Sequence, residues 1–193
     1  MGKPADLLGR KVLQLNIGDV QVARSNVAIR TVLGSCVGVC LYDPFVQAGG
    51  MNHFMLPGDD PEGPYSGRYG LQAMELLLNA CMSLGALPSR LQIKVFGGAD
   101  MLSMLSSGLT VSQRNIRFIQ RYLDNEGFSA VAMDLGGLCA REVYFLPDTG
   151  KTLVRRICDD GVPEFRRIVK KERAVSHRPP PASDDSNITL FDQ

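Results

Sequence analysis

The sequence predicts an α/β chain of the α+β type, a single layered domain in which mixed, largely antiparallel β-sheets pack with two main helices. Two observations carry this reading. Short apolar or alternating runs separated by turn residues fill 11–56 and 129–157, and between them lie two segments whose apolar residues recur at three- and four-residue spacing. Strands on both sides of two helices bury their faces best as sheets with helices laid against them.

Length and charge bound the rest. A chain of 193 residues, 45% hydrophobic and 21% charged, suits one sizeable core plus a tail. The formal net charge of +1 gives the whole chain no drive toward nucleic acid or a membrane surface. It contains no run of about 18 apolar residues and no charged-then-apolar leader. No membrane insertion is therefore expected, and a cytoplasmic location is the default.

Taken in order, Lys11-Val-Leu-Gln-Leu-Asn-Ile and Asp19-Val-Gln-Val-Ala alternate apolar with polar residues around Gly18, which reads as a hairpin. Val27-Ala-Ile-Arg-Thr-Val-Leu is a third strand. Val37-Gly-Val-Cys-Leu-Tyr is almost continuously apolar, the pattern of a central strand covered on both faces. Asp43-Pro44 ends it, because proline has no N–H for the ladder. Ala48 to Leu56 returns, expected antiparallel to it. From Pro57 to Gly70, glycine and proline are too dense for regular structure.

Leu71, Met74, Leu78 and Cys81, flanked by Leu77 and Met82, predict a helix of about four turns closed at Gly85. Leu91-Gln-Ile-Lys-Val-Phe alternates as a strand and ends in Gly97-Gly98. That pair reads as a sharp strand-to-helix turn, since the lysine-hydroxyl pair of nucleotide loops is missing. Ser112 to Asn125 is the second helix, with Ile116, Ile119 and Leu123 inward beside Phe118 and Tyr122, and with Arg114, Arg117 and Arg121 on a solvated side. Ser129-Ala-Val-Ala-Met-Asp, Glu142-Val-Tyr-Phe-Leu and Lys151-Thr-Leu-Val-Arg-Arg-Ile are three more strands, the last two joined by Pro147-Asp-Thr-Gly.

Beyond Gly161 the composition changes. Arg166 to Arg178 holds six Arg or Lys against one Glu, and Pro179-Pro-Pro-Ala-Ser-Asp-Asp-Ser follows, too polar to bury a face of its own. The chain therefore divides into a folded domain over 11–165 and a basic, then disordered, tail over 166–193. His177 reads as a solvated residue of that tail, and Ile188-Thr-Leu-Phe191 as a short apolar patch suited to docking.

Residues 31–57 hold the candidate chemistry. Cys36 follows the Leu33-Gly-Ser turn, and His53, the one histidine outside the tail, comes 17 residues later on the next run. A thiol is mostly protonated near neutral pH and needs a base within reach, which an imidazole supplies. Gly34 and Ser35 are small enough to let backbone N–H groups approach a substrate carbonyl and hold an oxyanion. Thr31 offers a hydroxyl to fix the imidazole tautomer. The loop after His53 would form a lip beside the site, with Tyr65 and Tyr69 as substrate contacts, and the cysteine and histidine are expected at the mouth of a surface cleft.

Five cysteines without a Cys-x-x-Cys pair read as reduced thiols. Cys36 and Cys40 cannot pair along one strand, where four residues span roughly 13 Å against the ~7 Å a disulfide allows between Cα atoms. Cys40, Cys81, Cys139 and Cys158 read as small buried or half-buried hydrophobes. One core histidine with scattered cysteines has no metal-ligand spacing, so no metal or cofactor is expected.

Thr31-Val-Leu-Gly-Ser-Cys36-Val, the Cys36 to His53 interval, Gly50-Met-Asn-His53-Phe-Met-Leu-Pro57, Lys94-Val-Phe-Gly-Gly-Ala-Asp-Met101 and the later Gly136-Gly137 with Arg141 together resemble the CheD family of chemoreceptor glutamine deamidases. Val111-Ser-Gln-Arg-Asn115 departs from the Ile-Gly that the family pattern has ahead of an asparagine. The resemblance implies a Cys-His deamidase-like layered fold and a cytoplasmic enzyme that converts glutamines of methyl-accepting chemotaxis receptors to glutamate. Cys36 would be the nucleophile, His53 the base and a threonine the orienter. A CheC-type phosphatase is the further partner it implies. The competing readings are a binding module that regulates such a phosphatase and a small-molecule amidase with a deep closed pocket.

Overall fold

The computed structural model describes residues 4–56, 66–100, 109–158, 166–170 and 188–191. Its strands are β1 (Lys11–Gln14), β2 (Val20–Ala23), β3 (Val27–Leu33), β4 (Val37–Asp43), β5 (Ala48–Phe54), β6 (Gln92–Gly97), β7 (Ala130–Leu135), β8 (Ala140–Leu146), β9 (Lys151–Ile157) and β10 (Ile188–Phe191). The helices are α1 (Ser66–Ser83) and α2 (Val111–Asn125). Four strands form one sheet in the order β1-β3-β8-β9, and six form another in the order β10-β2-β5-β4-β6-β7. Most of the neighbouring pairs are antiparallel, while β1–β3, β10–β2 and β6–β7 run parallel.

The molecule has three layers. Leu15, Ile29, Leu33, Cys36, Cys40, Met51, Phe96, Val143 and Phe145 form the core between the sheets. Val20, Val22, Val37, Val39, Leu41 and Phe54 face the other way, onto Met74, Leu77, Cys81, Ile119 and Leu123 of the helices. Because side chains alternate across a strand, β4 and β5 must be apolar on both faces, and every residue of each is buried. α2 starts at a capping box: the Thr110 hydroxyl accepts from Gln113 N–H, and the Gln113 side chain accepts from Thr110 N–H.

Three expectations change. The 11–23 segment is not a hairpin, because β1 pairs with β3 in one sheet and β2 with β5 in the other. The turn between them, where the Asp19 carboxylate accepts from Asn16 N–H at 2.8 Å, hands the chain from sheet to sheet. An alternating pattern specifies a face to bury and says nothing of the partner.

The helix also begins earlier than the glycine-rich composition suggests, at Ser66. Gly70 serves packing there, since a Cβ at that position would run into the Phe118 ring.

Cys139 and Cys158 are joined as a disulfide, not held as separate thiols. The β8–β9 ladder ends at Ala140↔Ile157, so the next residue on each strand falls opposite the other, with Cα atoms 4.3 Å apart. Cys40 and Cys81 remain buried thiols: desolvation pushes Cys40 up, and desolvation with the nearby Asp43 charge pushes Cys81 up to about 12.

Within the tail segment, residues 166–170 are helical and lay Ile168 and Val169 against the cluster of Ala140 and Ile157. Ile188–Phe191 adds as β10 beside β2, in register Ile188↔Val20. His177 lies outside the described residues.

Candidate functional site

The chain passes from the four-stranded sheet to the six-stranded sheet through Gly34-Ser35-Cys36, between the end of β3 and the start of β4. The β4–β5 register sets Gly38 opposite His53. Cys36, two residues before Gly38, therefore shares a face with the His53 ring, diagonally across neighbouring strands, a separation that a long side chain spans. The residue directly opposite His53 on that face is a glycine, where an added Cβ would sit 2.7 Å from Met51 Cε. That face looks into the space between the sheets, where β3 delivers Thr31.

Thr31 Oγ1 lies 2.8 Å from His53 Nδ1 and donates to the Leu15 carbonyl at 2.9 Å. A hydroxyl has one hydrogen to give. With that hydrogen on Leu15, the contact with His53 is satisfied by Nδ1–H donating to Oγ1. The neutral ring then carries its lone pair on Nε2, the tautomer that lets Nε2 take a proton. The His53 backbone is gripped too, its N–H donating to Asp19 O at 3.2 Å and its carbonyl accepting from Gly18 N–H at 2.7 Å.

The Cys36 turn is held by its carbonyls. Gly34 O accepts from Ala99 N–H at 2.6 Å, Ser35 O from Asn115 Nδ2 at 2.8 Å and Cys36 O from Gly98 N–H at 2.7 Å. Gly97 allows this approach: its φ is +113°, and a Cβ there would run into the Cys36 carbonyl. Behind it, Gly136 N–H donates to Gly97 O at 2.9 Å, and Asp100 N–H to Gly137 O at 2.7 Å. Arg141 braces that glycine loop from beneath, donating to Gly136 O and Cys139 O and pairing with Asp134. The glycine pairs singled out in the sequence thus form one scaffold under one turn.

Thr31 and His53 are in contact, Cys36 lies on the same face diagonally from His53, and Gly34 and Ser35 form the turn itself. Burial departs from expectation. Thr31 and Cys36 are 0% exposed and His53 is 4% exposed, so the cluster sits between the sheets and not at the mouth of an open cleft. Tyr69 is half-buried against the helix–sheet core, on the opposite face of the six-stranded sheet from His53. Tyr65 lies outside the described residues. A groove of about 740 Å³ runs along α1 and the end of α2, lined by Glu75, Leu78, Tyr122 and Phe128 among others, with none of the cluster in its walls.

Sequence reasoning gave Asn115 no role. It is fully buried on the inner face of α2, its Nδ2 on Ser35 O and its Oδ1 accepting from Leu56 N–H at 2.8 Å. The available signal was a polar residue one helical turn before Ile119, at a position the helical period assigns to the core.

The family model for CheD, described as CheD chemotactic sensory transduction, matches residues 55–156. A Ruegeria protein named probable chemoreceptor glutamine deamidase CheD 1 is 42% identical, over 90% of this chain and 92% of its own. A Shewanella oneidensis protein of the same name is 46% identical over 77% of this chain and 73% of its own. A Vibrio vulnificus protein named probable chemoreceptor glutamine deamidase CheD is 38% identical over 95% and 88%. A solved Neisseria meningitidis protein of family DUF152 aligns at 14% identity over 67% of this chain and 64% of that one, with a TM-score of 0.42, too slight a likeness to carry any step. With a family model matched over more than half of it and relatives this similar along nearly its whole length, the chain belongs to the CheD family.

Proposed function

We propose that the chain is a chemoreceptor glutamine deamidase whose catalytic group is Cys36 with His53, oriented by Thr31. The observation that carries this is the 2.8 Å contact from Thr31 to His53 Nδ1, on the face that His53 shares with Cys36, in a family whose relatives bear that activity in their names. His53 Nε2 takes the Cys36 proton, and the thiolate attacks the carboxamide carbon of a receptor glutamine. The imidazolium then protonates the nitrogen as the C–N bond breaks, releasing ammonia and leaving a thioester. Water, deprotonated by the same ring, hydrolyses the thioester to glutamate and frees the thiol. Every step uses side chains of this chain, and none calls for a metal or organic cofactor.

The burial of the pair gives the reading a physical requirement: a glutamine side chain reaches Cys36 only through a local opening of the structure around it. Among the described residues no helix is long and apolar enough to cross a membrane. The protein is read as acting in the cytoplasm on the cytoplasmic part of the receptors, with a CheC-type phosphatase as a further partner.

The test is ammonia release from purified receptor fragments, with mass spectrometry locating the converted glutamines. Cys36→Ala is expected to abolish both signals. An unchanged rate in that variant sinks the mechanism. Phosphatase binding that survives in Cys36→Ala while no receptor is deamidated even by the parent would favour the regulatory binding module instead.

A further inference from the structure

The carbonyl contacts of the Cys36 turn define more than a scaffold. In a trans peptide the C=O and the N–H of the next residue point in opposite directions. Whatever holds the Ser35 carbonyl therefore aims the Cys36 N–H the other way. The holder is Asn115 Nδ2, 2.8 Å from Ser35 O. The other end of the same carboxamide accepts from Leu56 N–H at 2.8 Å, three residues beyond His53.

Of the common small polar side chains, only an amide offers a donor and an acceptor in that fork. A carboxylate of the same shape keeps the bond to Leu56 and sets a negative charge against the Ser35 carbonyl. Burying an amide completely is costly unless both ends are paired, and here both are.

We propose that Asn115 is a positioning residue for catalysis: by holding the Ser35 carbonyl toward α2, it aims the Cys36 N–H at the oxygen that becomes negative when Cys36 attacks a carbonyl, while its other end ties the turn to the end of the histidine strand. This extends the deamidase reading above, but it is tested without a receptor. An oxyanion donor matters only when a tetrahedral oxyanion forms. Acylation of Cys36 by p-nitrophenyl acetate forms one: the Sγ–acyl bond forms, the aryl ester C–O bond breaks, nitrophenolate departs, and the thiol proton passes to His53. Alkylation by iodoacetamide displaces iodide at a saturated carbon and forms none.

The experiment measures both rates at Cys36 in the parent protein and in Asn115→Asp, with Cys36→Ala as background and thermal unfolding as the check on folding. The expected result is a ratio of acylation to alkylation about 100-fold lower in Asn115→Asp, the effect of losing one oriented oxyanion donor. A purely structural role would lower both rates together or neither, and either result overturns the proposal. So does a parent Cys36 that the ester does not acylate. If Asn115→Asp does not fold, the smaller and uncharged Asn115→Ser is measured against the same criterion. A collapsed ratio in a protein that leaves receptors untouched would sink the receptor reading alone.

Discussion

Thr31 shows how one hydroxyl fixes which nitrogen of a neighbouring ring carries the hydrogen. Because its hydrogen is committed to Leu15, it acts toward His53 only as an acceptor. Thr31→Ala should lower kcat for receptor deamidation by roughly 100-fold or more, because the ring is then free to take the wrong tautomer and general-base help is worth about 10²–10⁴. Thr31→Ser keeps the hydroxyl and should stay within a few-fold of the parent; equal loss in both variants would place the effect in packing.

Asp43 makes a different prediction, about stability. It is buried, so desolvation disfavours its charge, yet hydrogen bonds from Arg90, Leu87 N–H and Phe45 N–H outweigh that and bring it from 3.8 to about 2. A depressed carboxyl stabilises the fold above its unfolded value near 4, and that contribution is lost as pH falls toward 2. Asp43→Asn should cost about 2 kcal/mol in urea unfolding at pH 7, with the gap between parent and variant shrinking between pH 4 and 2.

At this scale the sequence showed which residue types were present and where they clustered. Cys36, His53 and Thr31 could be named as candidates from the Gly-Ser-Cys turn, the lone core histidine and the CheD-like pattern around them. Asn115 could not, because its value lies in two backbone groups that only the folded chain brings to it.

The elements were more legible than their pairings. Runs of apolar residues located the strands, and helical spacing located the inner faces of α1 and α2, since each reflects a local demand to bury one side. Partners depend on distant segments, which is why β1 and β2 separate into different sheets and why two cysteines 19 residues apart come to face each other. The strand pairing puts those sulfurs side by side in either redox state. With the disulfide formed, closing that loop should contribute at most about 3 kcal/mol, part of which the hairpin already supplies. Dithiothreitol should therefore lower the Tm of the parent and leave that of Cys139→Ser unchanged, measured by calorimetry. Equal Tm values for the parent with and without reductant would mean the sulfurs remain thiols.

For the molecule as a whole, the layer order decides what each face can do. The helices cover one side of the six-stranded sheet, the four-stranded sheet covers the other, and the residues proposed for catalysis lie in the second interface. Thr31 belongs to one sheet, while Cys36 lies just before β4 and His53 on β5 of the other. Sliding one slab over its neighbour by an ångström or two would leave every ladder intact and still part the hydroxyl from the imidazole. Warming should thus silence the enzyme several degrees before circular dichroism registers any melting, and a small ligand wedged between the slabs would inhibit without touching the sulfur.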